Sequence, residues 1–129
     1  MTDDLNINDV NEIIAPDDLR VRPLIATKRG SMAEFRLAPG LTGRTIKHRT
    51  IEEIWYVVAG DGWIWRETAN AGEPVPLASG SNFHVPPGCA FQIRAGAEEL
   101  VVIATTMPPW PGDDEVEVLE NAGPWIASL

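Results

Sequence analysis

Glycine, proline, asparagine and aspartate recur at short intervals through the middle of the chain and divide it into short runs rich in β-branched and aromatic residues. That punctuation favours short strands joined by turns over helices. The fold class read from it is all-β. Strands are expected over 32–37, 44–48, 53–58, 63–67, 75–77, 82–85, 91–94 and 100–106, and the segment 7–14 reads as a short helix or a loose arm. Regularly spaced strands of this kind build a sandwich or a barrel.

Two local features add detail. Ala59-Gly60-Asp61-Gly62 lies between two of these runs and supplies the backbone freedom of a tight turn, so the flanking strands are expected to pair as an antiparallel hairpin. After Thr106 come Pro108, Pro109, Pro111 and Pro124, which block a central strand and favour an extended wrap. Trp110 and Trp125 in this segment are expected to dock on the barrel or on a second subunit, because water is a poor place for two indoles.

A chain of 129 residues is one domain's worth and buries a substantial core without disulfides. Its single cysteine, Cys89, cannot form an internal one. Acidic residues gather toward the ends, at Asp3, Asp4, Asp9, Glu12, Asp17 and Asp18 and again at Asp113, Asp114, Glu115, Glu117 and Glu120. The formal net charge of -9 argues against a nucleic-acid partner, which needs clustered cations. No apolar run approaches the roughly 20 residues of a membrane-spanning helix, so no membrane partner is expected. The first residues are acidic rather than positive and then apolar, which makes a cytoplasmic location the expectation.

From Gly40 to Ala95 the sequence resembles the cupin superfamily of double-stranded β-helix (jelly-roll) barrels. The first cupin motif runs roughly G-x5-H-x-H-x3,4-E-x6-G, and its second half is matched by His48, Glu53 and Gly60. The second motif, roughly G-x5-P-x-G-x2-H-x3-N, is matched by Gly80 and by Pro86-Pro87-Gly88. The stretches "RGSMAEF", "HRTIEEIWYVV" and "TMPPWPG" add a likeness to small bacterial single-domain barrels. The resemblance implies one cupin domain over residues 1–129, with a barrel core at 31–106, an N-terminal arm and a Pro/Trp-rich C-terminal extension. It also implies a homodimer, for which Trp63, Trp65 and Trp110 are the candidate apolar patch.

Family metal sites take two histidines and a carboxylate from the first motif and one histidine from the second. Here Ile46 and Phe91 stand at two of the histidine positions, and Ala95 at the asparagine position. The resemblance therefore implies a barrel with an eroded metal set. A first-row metal wants three good ligands, so a divalent Fe, Mn, Ni or Zn ion needs His84 to join His48 and Glu53. No metal is favoured. The Pro-Pro-Gly turn interrupts strand alternation and leaves the facing of His84 open.

Alternation along strands puts Ile46 with His48, and Glu53 with Trp55 and Val57, while Phe91 and Ile93 share a face on theirs. The lining inferred is a mostly apolar pocket with one base and one carboxylate, suited to a small organic ligand. Ile46, Trp55, Val57, Phe91 and Ile93 are the candidate ligand-binding residues, and His48 with Glu53 the candidate catalytic couple. Such a couple equally serves as a buried pair that only satisfies polar groups. Glu52 reads as a surface carboxylate, and Cys89 as a small inert hydrophobe unless it is exposed near Arg94. Arg44, Lys47, Arg49 and Arg66 read as an outer-face group paired with Glu52 and Glu67.

Three functions fit these readings. The first is a small-molecule binding barrel of unassigned specificity. The second is an enzyme: a metal-dependent oxygenase or isomerase using His48, Glu53 and His84, or a metal-free acid–base isomerase using His48 and Glu53. The third is an interaction subunit that exchanges its tryptophan-bearing tail.

Overall fold

The computed structural model describes residues 4–15 and 19–128, so Asp3, Asp17 and Asp18 of the acidic group lie outside the described residues. Among the described residues eleven strands carry the fold: β1 (Ile13–Ile14), β2 (Arg20–Ala26), β3 (Ser31–Leu37), β4 (Ile46–His48), β5 (Glu52–Ala59), β6 (Asp61–Arg66), β7 (Val75–Ala78), β8 (Asn82–Val85), β9 (Phe91–Ala95), β10 (Leu100–Met107) and β11 (Val116–Val118). They form two antiparallel sheets, one in the order β1-β2-β3-β10-β5-β8 and the other β11-β4-β9-β6-β7. Among the described residues no helix is long and apolar enough to cross a membrane.

The two sheets face each other across the core. On β5 the buried residues are Glu53, Trp55 and Val57, while Ile54, Tyr56 and Val58 are exposed. On β10 Leu100, Val102, Ala104 and Thr106 are buried beside them, with Thr106 opposite Glu53 and Ala104 opposite Trp55; Val101, at a register shift, is buried as well. This period of two is what one buried sheet face imposes on a strand. One end of the interior is solid with Leu37, Val57, Ile64, Leu77, Ile93 and Leu100. The other end is hollow.

Three expectations need correction. The first is the hairpin: β5 pairs with β10 and β8, whereas β6 pairs with β7 and β9, so the two strands lie in different sheets. Gly60, at φ 87°, turns the chain from one sheet to the other. A Cβ there would meet the Glu99 carbonyl oxygen at 1.9 Å, so glycine serves a sheet-to-sheet corner with a close backbone approach.

The second concerns the limits of the barrel, since pairing extends past 31–106 at both ends. β2 lies alongside β3 despite Pro23. Its other neighbour, β1, reaches only Val21, so Pro23 sits on an open edge where its missing N–H costs no ladder bond. The expected arm at 7–14 is a short 3-10 turn at Ile7–Asp9, capped by the Asn6 side chain, followed by β1. At the far end β11 pairs with β4, with Val116 opposite His48 and Val118 opposite Ile46.

The third concerns the basic group. Lys47 and Arg49 reach Glu117 at 3.8 and 3.5 Å, and Arg44 reaches Glu120 at 3.5 Å, so the acids they meet come from the C-terminal extension. Arg66 donates to the His84 carbonyl and the Asn70 side chain. Glu52 instead meets His84. Trp125 is held on its own barrel: its backbone exchanges hydrogen bonds with the buried Gln92 amide, and the Arg94 guanidinium lies 5.9 Å from the ring. Cys89 is buried and accepts from the Thr68 hydroxyl, away from any reactive role.

Candidate functional site

The hollow end of the barrel is a cavity of about 250 Å³ whose wall is mainly apolar. β4 contributes Ile46 and His48, β5 contributes Glu53 and Trp55, and β9 contributes Phe91. The structure thus brings five of the seven expected lining residues to one cavity. Val57 and Ile93 are the exceptions: both are buried in the solid core and neither reaches the cavity wall. They lie farther along their strands, at the end where the two sheets close on each other.

His48 Nε2 lies against Glu53 Oε1, and both side chains are almost fully buried. Nε2 is thus in contact with a carboxylate, whereas Nδ1 has no hydrogen-bond partner among the described residues. The imidazole packs on Phe91, with ring centroids 5.3 Å apart, and nearly perpendicular to Trp110 at 5.5 Å.

Trp55 is fixed more tightly. Phe35 stacks on it at 5.2 Å with an interplanar angle of 11°, Phe83 stacks at 5.5 Å, and Phe91 meets it edge-on at 6.0 Å. Its indole Nε1 is also buried without a hydrogen-bond partner among the described residues. By contrast, the Thr106 and Ser31 hydroxyls bond each other, and Ser31 Oγ accepts from the Trp110 backbone N–H at 2.9 Å. The polar groups of the cavity therefore divide into a satisfied pair and an unsatisfied set.

The turn between His48 and Glu53 is fastened from outside. Glu115, immediately before β11, accepts from the N–H groups of Thr50 at 2.8 Å and Ile51 at 3.2 Å, and from the Thr50 hydroxyl. Burial alone would raise the Glu115 proton affinity, but the bonds from Thr50, Ile51 and Arg49 outweigh it and hold this carboxyl below its ordinary range. A carboxylate depressed in the folded state stabilises the fold above its unfolded value and loses that contribution as pH falls through the folded value. Glu115→Ala is therefore expected to lower unfolding free energy by about 2 kcal/mol at neutral pH, the size of a lost charge-assisted hydrogen-bonding group. Denaturant melts at pH 7 and at about pH 3, below the ordinary carboxylate value, check this: the gap between wild type and variant should shrink in acid.

His84 lies elsewhere. Val85 is the residue of β8 that pairs opposite Glu53 and points inward, so its neighbour His84 faces out, opposite Ile54. Its Nε2 meets Glu52 Oε2 at 2.9 Å on the outer surface. The set of His48, Glu53 and His84 is not assembled. Phe91 and Ile46, at the other two motif positions, offer no donor, and among the described residues no group of three His, Cys, Asp or Glu side chains could hold a metal ion. Two donors in contact with each other do not fit a first-row metal.

Phe35, Ser31, Thr106, Trp110 and Asp113 also line the cavity and were not anticipated. Phe35 and Thr106 were within reach of the alternation argument, since Phe35 shares a face with Leu37, and Thr106 with Leu100, Val102 and Ala104. Trp110 and Asp113 belong to the extension, whose path depends on contacts far away in sequence.

No protein-family model matches the sequence, and a search of curated proteins finds no match. Solved structures do match in fold. KdgF from Halomonas sp. has a TM-score of 0.74 at 19% identity, covering 86% of this chain and 97% of that one. The polyketide cyclase RemF from Streptomyces resistomycificus has a TM-score of 0.74 at 18% identity, covering 92% of this chain and 86% of that one. A variant of Streptomyces PAC13 solved with uridine has a TM-score of 0.75 at 11% identity, covering 93% and 92%. The chain has the cupin fold, a double-stranded β-helix barrel of two antiparallel sheets. Its neighbours in that fold include enzymes.

Proposed function

We propose that the barrel binds a small, mostly apolar organic molecule in its cavity and that His48 and Glu53 exchange a proton with it. One observation carries this reading: at the cavity wall His48 is buried with Nε2 against the Glu53 carboxylate, and its other ring nitrogen, Nδ1, has no hydrogen-bond partner among the described residues. Leaving a buried polar atom unpaired is unfavourable, and packing alone gives no reason to keep one. A bound molecule supplies the partner. Enzymes with this fold include a polyketide cyclase and a nucleoside dehydratase, so the fold tolerates chemistry on organic substrates.

Glu53 orients the ring through Nε2, which leaves Nδ1 as the nitrogen for a ligand. Proton abstraction beside a carbonyl is the simplest use of such a couple. The C–H bond breaks, its electron pair moves to the carbonyl oxygen as an enolate, and Nδ1 takes the proton; return of a proton to carbon completes an exchange or an isomerisation.

A homodimer and a cytoplasmic location belong to the same proposal. The apolar surface that supports a dimer is the outer face of β5, where Ile54, Tyr56 and Val58 are exposed. The three tryptophans are a poorer patch, because the Trp65 N–H is bonded to the Gly72 carbonyl and Trp110 packs on His48.

The test is exchange of the α-protons of 2-tetralone in deuterated water, followed by proton NMR with binding measured in parallel. Wild type is expected to exceed Glu53→Gln on the order of 100-fold. Saturable binding with exchange at the protein-free rate overturns the acid–base part, and absence of binding overturns the pocket itself.

A further inference from the structure

We infer that the ligand is a neutral aromatic carbonyl compound and that the Trp55 indole N–H donates to its oxygen. This rests on the pocket reading above and adds the class of ligand and a positioning role for Trp55. Three observations converge on it.

Both faces of the Trp55 indole are covered, by Phe35 on one side and Phe83 on the other, with interplanar angles of 11° and 29°. The ring therefore has no free face for stacking a ligand or a cation, although Trp55 lines the cavity. The indole Nε1–H is buried and unpaired among the described residues. An indole N–H is a donor only, so the group that satisfies it must be an acceptor.

Charge narrows the acceptor. The described cavity lining includes the carboxylates of Glu53 and Asp113 and no lysine or arginine. Carboxylate and phosphate ligands would enter against like charge, on a chain of net charge -9, with no described lysine or arginine in the lining to receive them. A neutral carbonyl oxygen meets no such opposition. Shape narrows the remainder: Phe91, Trp110 and Ile46 enclose a mostly apolar space of about 250 Å³, sized for one or two fused rings.

The placement also suits the proposed chemistry. When His48 takes a proton from the carbon beside the carbonyl, negative charge develops on the oxygen, and a fixed donor in an apolar wall stabilises that charge without reorganising. The aromatic stack around Trp55 is what fixes the donor.

Ligand-observed NMR titrations with 2-tetralone, tetralin and 1,2,3,4-tetrahydro-2-naphthoate test the inference on wild type and Trp55→Phe. The substitution keeps an aromatic ring in the stack and removes the N–H. Wild type is expected to prefer the ketone over the hydrocarbon about tenfold, the worth of one buried hydrogen bond. Trp55→Phe should bind both about equally. The naphthoate should bind neither protein at millimolar concentration, and tight binding of it overturns the charge argument. A ketone preference that survives in Trp55→Phe overturns the donor role while leaving the pocket intact. Failure of all three to bind wild type instead overturns the pocket reading beneath it. Should Trp55→Phe fail to fold, the wild-type indole N–H resonances decide: one buried N–H should move downfield with 2-tetralone and stay in place with tetralin, and the same response to both overturns the inference.

Discussion

His48→Ala is expected to destabilise the protein by about 3–5 kcal/mol, whereas the double replacement His48→Leu with Glu53→Met is expected to be neutral or to stabilise it by about 1–4 kcal/mol. The asymmetry comes from the interior these side chains occupy. Glu53 is 2% exposed, and removing His48 leaves its carboxylate facing Phe91, Trp55 and an apolar cavity with no counter-group. Removing both polar groups takes away the desolvation cost along with the contact, and the space is refilled by side chains of similar size. Urea melts of wild type and both variants measure the differences. The double variant should lose deuterium exchange on 2-tetralone completely. Greater stability with lost exchange is the pattern of a pair retained for chemistry. A double variant as unstable as His48→Ala would mean that the pair is a structural device.

Trp55→Ala is expected to cost about 3–5 kcal/mol, the range for deleting a large aromatic side chain from a core. Trp55 is 2% exposed and touches three other rings, so its loss opens a void between Phe35, Phe83 and Phe91 that rigid strands on both sides cannot close. The void adjoins the cavity. Small hydrocarbons such as tetralin should therefore bind Trp55→Ala at least as well as wild type, while selectivity for a ketone disappears. Thermal melts combined with the same titrations check both statements, and a loss under 1 kcal/mol would mean that the aromatic stack is not the anchor described.

Much of the fold was legible because β5 and β10 are central strands with one buried face. Their alternation is forced, and Glu53, Trp55, Leu100 and Val102 could be assigned inward without coordinates. The elements that escaped notice lie at the sheet edges. β2 carries a proline that an edge tolerates, and β11 is three residues set among acids, held by Lys47 and Arg49 from a strand some 70 positions earlier. Gly60 shows the limit of turn chemistry: a glycine with positive φ states that the chain reverses sharply, but not whether the next strand stays in the same sheet.

The site divides along the same line. His48, Glu53, Ile46, Trp55 and Phe91 were reachable from motif spacing and alternation. The outward facing of His84 was not, since the Pro86-Pro87-Gly88 turn breaks the parity that would have fixed it; the pairing of Val85 with Glu53 settles it. Val57 and Ile93 show why a shared face is weaker than a shared cavity. Both point inward as expected, yet at a depth where the two sheets meet and leave no room. Depth along a barrel depends on how strands are staggered against one another, which a single strand's pattern does not contain.

The chain has two histidines, and the structure puts them on opposite sides of the barrel wall, His48 inside against Glu53 and His84 outside against Glu52. That makes long-range proton–nitrogen correlation NMR of the imidazole rings, recorded with and without 2-tetralone, the most direct test of where a ligand goes. A bound ketone is expected to move the His48 ring resonances and leave those of His84 unchanged. Saturable binding that moves His84, or moves neither ring, would contradict the assignment of the barrel interior as the site.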